Sequence, residues 1–146
     1  MRYANAGHPK PLHIRRGSGQ VEPLGNATGK SEPVLGLFES AAYQTCEMKL
    51  EPGDVVMLFT DGLYEVQDSK NELYSQGMLV AGVQRCAQLP VPHLFDVLLA
   101  EIRRFSADGG FADDVCMVGM EFTYLPGQAS SATNSERKAL LRPGLE

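Results

Sequence analysis

The chain reads as an α+β fold built on a mainly antiparallel sheet. Three observations predict this. Short alternating or wholly apolar runs gather ahead of Asp61, two segments of helical periodicity follow them, and one more apolar run closes the order. Runs of strands and helices, rather than strict alternation, point to α+β with strands paired antiparallel.

The elements can be justified in order. After Arg2 to Pro9, Leu12-His13-Ile14-Arg15 alternates, Arg16-Gly17-Ser18-Gly19 supplies a turn, and Val21 resumes an extended run. That pattern predicts a β-hairpin. Gly25 to Pro33 is a polar loop with Gly and Pro, and the apolar run Val34 to Phe38 is expected to fold back over the sheet. From Tyr43 to Leu50 the residues alternate, with Cys46, Met48 and Leu50 toward the core, as in a half-buried strand. Pro52-Gly53 makes a turn. Val55 to Phe59 is apolar without alternation, which predicts a strand buried on both faces.

Two helices come next. Leu79, Val83 and Cys86 recur at helical spacing, although Gly77 and Gly82 weaken the first helix. In the second, Pro92 suits the first turn, and Phe95, Leu98, Leu99, Ile102 and Phe105 form one stripe. Arg103 and Arg104 favour the helix dipole near its end, where Gly109-Gly110 is expected to stop it. Val115 to Phe122 is the last strand. From Leu125 onward the pattern dissolves, so residues 1–124 read as the domain and 125–146 as a disordered tail.

Composition narrows the function. A length of 146 residues suits one domain or part of one. A net charge of −5 without any run of Lys or Arg argues against nucleic acid or an anionic membrane as the main partner. Cys46, Cys86 and Cys116 are widely spaced and offer neither a disulfide framework nor a zinc site. Their apolar contexts predict small buried hydrophobes, and such usage predicts a cytosolic compartment. No stretch approaches the ~20 apolar residues of a membrane span, and the N-terminus lacks a signal-peptide pattern.

Three features could carry chemistry. Asp61-Gly62 follows directly on the buried strand, so the acid is mounted on a rigid strand end and Gly62 permits a sharp turn or a close approach. Such a carboxylate suits a hard cation such as Mg²⁺ or Mn²⁺. Asp-Gly is also among the commonest turn dipeptides. Asp113-Asp114 precedes the last strand, which should neighbour the first; two acids from neighbouring strand ends make a cation site, or else a solvated acidic loop. In Asn5-Ala6-Gly7-His8-Pro9, His8 could neighbour a metal, carry a proton or donate to phosphate, or simply form the turn before Pro9. His13 and His93 have no supporting context and are expected at the surface.

In order along the chain, Asn-Ala-Gly-His-Pro at 5–9, Pro33-Val34-Leu35-Gly36-Leu37-Phe38, Leu50-Glu51-Pro52-Gly53-Asp54, Phe59-Thr60-Asp61-Gly62-Leu63-Tyr64-Glu65 and Ala112-Asp113-Asp114-Val115 form a series. It resembles the bacterial sporulation-phosphatase and sigma-regulator-phosphatase branch of the metal-dependent, PP2C-type protein phosphatases, over residues 2 to 122. Each block is weak alone; their order carries the likeness.

The resemblance implies a sandwich of two antiparallel sheets flanked by helices, with two Mn²⁺ or Mg²⁺ ions between carboxylates. They activate water to attack phosphoserine or phosphothreonine. It implies Asp61 and Asp113 as metal ligands, with Asn5, His8, Gly62 and Asp114 in substrate-side or supporting roles. Its partners would be phosphoproteins, among them sigma-factor regulatory proteins. One departure matters. The family's earlier Asp-x-x-Gly-His-Gly block, whose acid bridges the two metals, has no counterpart here. The N-terminal strands and helices of the fold are therefore expected to be missing. One hydrated ion or none would bind, activity would be weak, and open sheet edges would invite homo-oligomers. The alternative is a phosphatase-derived interaction module without turnover.

Overall fold

The computed structural model describes residues 1–26, 29 and 31–123, and the predicted tail at 125–146 lies outside them. The elements are β1 (Arg2–Tyr3), β2 (Leu12–Arg15), β3 (Gln20–Pro23), β4 (Cys46–Glu47), β5 (Val55–Phe59), a 3₁₀ turn (Asp61–Leu63), α1 (Gln76–Cys86), α2 (Val91–Phe105) and β6 (Met117–Glu121). Four strands form one sheet in the order β3-β2-β5-β6, and β1 pairs with β4 in a second, two-stranded sheet. Every pairing is antiparallel. The α+β expectation holds, with two sheets and two helices.

β5 is central because nothing in it is polar. Val55, Met57 and Phe59 point to one face and enter the main core with Leu12, Ile14 and the helix residues Leu79, Val83, Leu94, Leu98 and Ile102. Val56 points the other way, into a smaller cluster with Leu24 and Leu50, bordered by Tyr3, Met48, Leu58 and Phe122. The helices therefore cover one face of the sheet, and the β1–β4 ribbon covers part of the other.

The helices begin as their sequences dictate. Ser75 caps α1, its hydroxyl accepting from the Met78 amide at 3.2 Å. Pro92 lies in the first turn of α2, and Arg103 and Arg104 occupy its last. The buried stripe of α2 is Leu94, Leu98 and Ile102, while Phe95, Leu99 and Phe105 flank it half-buried. The helix ends at Phe105, because Ser106 turns to ψ 137°, ahead of the Gly109-Gly110 pair. Arg16, in the β2–β3 turn, donates to the carbonyls of Ala87 and Leu89 and so satisfies acceptors left open at the end of α1.

Several expectations need correction. The strand read over Tyr43 to Leu50 pairs only at Cys46–Glu47, since β1 offers just two residues as a partner. The Val34–Phe38 run does not fold back over the sheet: Val34, Leu35, Leu37 and Phe38 are 58–73% exposed. Cys86 is buried as expected, but Cys46 is half-buried and Cys116 is exposed. His13 is not at the surface; it is fully buried. β2 is covered on both faces, and His13 lies opposite Val56 on the side of the smaller cluster. Burial is tolerable because the ring is paired. Nε2 lies 2.8 Å from Asp54 Oδ2, while Nδ1 lies 3.4 Å from Glu22 Oε1 without making a hydrogen bond.

Candidate functional site

Asp61 sits two residues past the end of β5, where the chain enters a single 3₁₀ turn. Buried strand residues hold its backbone, and its exposed side chain reaches solvent. The Asp61 carboxylate accepts from the Gly62 amide at 3.1 Å. β6 runs antiparallel beside β5, with Phe59 opposite Met117. The stretch before β6 therefore lies against the stretch after β5.

Thr60 joins the two ends. Its amide donates to the Cys116 carbonyl at 3.1 Å, its hydroxyl donates to the Asp114 carbonyl at 2.8 Å, and that same hydroxyl accepts from the Cys116 amide at 2.9 Å. Gly62 completes the junction. A Cβ built there would lie 2.7 Å from the Asp114 carbonyl oxygen and 3.1 Å from the Asp113 carbonyl. Only glycine lets these two segments meet so closely.

The structure thus brings Asp61 and the Asp113-Asp114 pair to one end of the sheet. The Asp113 carboxylate accepts from the Asp114 amide at 2.7 Å, and all three acids are exposed. Two carboxylates on neighbouring, pinned strand ends fit part of the donor set of a hard cation, the remainder being water or other ligands. Among the described residues there is no group of three or more His, Cys, Asp and Glu side chains that could hold a metal ion.

The Asn5–Pro9 block borders the same end. Asn5 accepts from the His8 amide at 2.8 Å and donates to the His8 carbonyl at 2.9 Å, so it shapes the turn rather than facing a ligand. His8 Nδ1 lies 2.7 Å from the Pro9 carbonyl. A carbonyl only accepts, so Nδ1 carries the proton and Nε2 is left as an acceptor in the neutral ring. A cleft of about 360 Å³ is lined by Gly7, His8, Pro9, Lys10, Ser31, Asp61, Tyr64 and Gln76. Asp113 is not part of that lining; it joins the site through the backbone contact at Gly62.

Two contributors escaped the sequence reading. Thr60 pins the strand ends, and Lys10 brings a cation to the cleft beside Asp61. Thr60 was legible only as the residue before Asp-Gly, and Lys10 carries no local signal.

The fold resembles that of a solved PP2C domain. The chain is similar to the structure of the RsbU and RsbW domains of Rv1364c from Mycobacterium tuberculosis, with a TM-score of 0.64 and 24% identity, over 82% of this chain and 32% of that one. It is similar to the SiaA-PP2C domain of Pseudomonas aeruginosa, with a TM-score of 0.65 and 18% identity, over 80% of this chain and 44% of that one. The chain thus spans less than half the length of either. The family model for stage II sporulation protein E (SpoIIE) matches residues 1–123, and the chain belongs to that family. No curated protein matches it. No helix among the described residues is long and apolar enough to cross a membrane.

Proposed function

We propose that this chain carries the Asp61/Asp113 end of a metal-dependent protein serine/threonine phosphatase site. The observation that carries the reading is the junction at Gly62, where the strand ends bearing Asp61 and Asp113 meet backbone to backbone. Family membership over residues 1–123 supports it.

In this reading Asp61 and Asp113 hold a divalent cation, Mn²⁺ or Mg²⁺, and Asp114 and Gly62 set the geometry of its loop. A bound cation supplies Lewis acidity, lowering the pKa of a bound water and neutralising phosphoryl charge. Asn5 fixes the turn that carries His8. Lys10 draws a phosphate dianion toward the cleft, and the Nε2 acceptor of His8 orients a hydroxyl or water there. The substrates would be phosphoproteins, with regulatory proteins of sigma-factor circuits as the class the family resemblance favours. Open sheet edges would let the chain self-associate.

Hydrolysis of p-nitrophenyl phosphate by the chain with added Mn²⁺ tests the reading against Asp61→Asn and Asp113→Asn. Metal-dependent turnover that either substitution abolishes supports it. No turnover at high protein concentration removes the catalytic claim for this chain. A second reading is a phosphatase-derived module that binds without turnover. Mn²⁺ binding that Asp61→Asn abolishes, without any hydrolysis, selects it.

A further inference from the structure

Among the described residues, two buried side-chain polar atoms lack a hydrogen-bond partner, His13 Nδ1 and Glu32 Oε2. His13 Nδ1 at least has the Glu22 carboxylate 3.4 Å away. The other oxygen of Glu32 is already committed: Oε1 accepts from the Asn26 side-chain amide at 3.3 Å and from the Gln44 amide at 2.9 Å. A carboxylate oxygen withdrawn from bulk solvent without a donor is costly, and folded proteins almost always supply one, from a protein group or from ordered water.

Glu32 lines a small polar cavity beside the Asn5–Pro9 turn. Its volume is about 20 Å³, and Asn5, Lys10 and Ser31 share the wall. A water needs about 10–15 Å³ and two to four polar partners. The cavity therefore has room for one water and for no larger guest. Lys10 is half-buried, and its ammonium donates to the Gly29 carbonyl at 3.4 Å, one of three protons it can give. It does not reach Glu32 Oε2 directly, since that oxygen has no protein partner. The same lysine also lines the cleft that holds Asp61.

We infer that this cavity binds one ordered water, which donates to Glu32 Oε2 and accepts from the Lys10 ammonium. The carboxylate gains its missing donor and a counter-charge one water away. The lysine then has one proton on Gly29, one on the water and a third for the cleft. A bound cation suits the cavity less, because Lys10 already supplies the positive charge. The water joins the loop that carries Glu32 to the chain just after the Asn5–Pro9 turn, as bridging waters do for buried polar groups. The inference does not rest on the phosphatase reading, since it concerns solvent and stability rather than turnover.

A crystal structure of the full chain tests it directly. One solvent peak should lie within about 3.2 Å of both Glu32 Oε2 and Lys10 Nζ. Urea unfolding of Lys10→Met, Glu32→Gln and the double variant gives an independent reading. Glutamine keeps an oxygen for Asn26 and Gln44, and methionine keeps an unbranched stem, so circular dichroism should show all three folded. Each single substitution should lower the unfolding midpoint, and the double variant should lose clearly less than the two losses added together. A direct Lys10–Glu32 contact, a cavity without solvent or a metal ion within it overturns the inference. So do losses that simply add.

Discussion

Replacing Gly62 with alanine adds one methyl group at the point where the two acid-bearing strand ends meet. The new Cβ would lie 2.7 Å from the Asp114 carbonyl oxygen, about 0.7 Å inside the 3.4 Å at which ordinary contact begins. The obstacle is backbone, and it is tethered: the same carbonyl accepts from the Thr60 hydroxyl at 2.8 Å. No rotamer change relieves the clash, so the Asp113–Asp114 segment must move away from Asp61 or the 3₁₀ turn must open. Overpacking of this kind costs about 1–3 kcal/mol, which for a domain of this length lowers Tm by roughly 3–10 °C. Urea unfolding of the two proteins measures the loss, and amide shifts of Thr60, Asp114 and Cys116 report the displacement. If catalysis resides here, a shift approaching ~1 Å should also cut metal-dependent turnover by about 10²-fold. Gly62→Ala with an unchanged unfolding midpoint and unchanged amide shifts would refute the junction itself, whatever the activity.

Three further predictions concern groups far from the site. Asp54→Ala removes the acceptor for the His13 ring and for the amides of Arg16 and Glu51, all at 2.8–3.2 Å. Because His13 and Asp54 are both buried, the loss should reach about 3–5 kcal/mol in chemical denaturation, far more than for an exposed aspartate such as Asp96. Burial alone would push the Glu101 carboxyl up, but hydrogen bonds from Arg85 and Tyr74 outweigh it and hold it below the ordinary 4.5. A carboxyl depressed on folding stabilises the fold above its unfolded value and loses that contribution as pH falls through its folded value. Unfolding midpoints should therefore drop faster below about pH 4.5 in the wild type than in Glu101→Gln; parallel curves would exclude this contribution. Tyr74, buried and hydrogen-bonded to Glu101 at 2.7 Å, has its phenol pushed far above the ordinary tyrosine range and should not ionise before the protein unfolds.

Much of this molecule was written in local pattern. The wholly apolar Val55–Phe59 run, the hairpin signalled by Gly17 and Gly19, and the stripe of α2 all rest on periodicity, which needs only neighbours along the chain. The family blocks were equally local, and they located Asp61 and Asp113 by order alone. Pairing was not local. Whether His13 meets solvent depends on Asp54, 41 residues away. The two-residue length of β4 depends on how little β1 offers it. Val34 to Phe38 looked like core by composition, yet no described layer covers it. Tertiary structure alone decided that Thr60 and Gly62 would join the two strand ends. The reason is physical: a hydrogen bond across 54 residues and a backbone contact without a side chain leave no trace in the spacing of residues. They exist only once the antiparallel register of β5 and β6 is set.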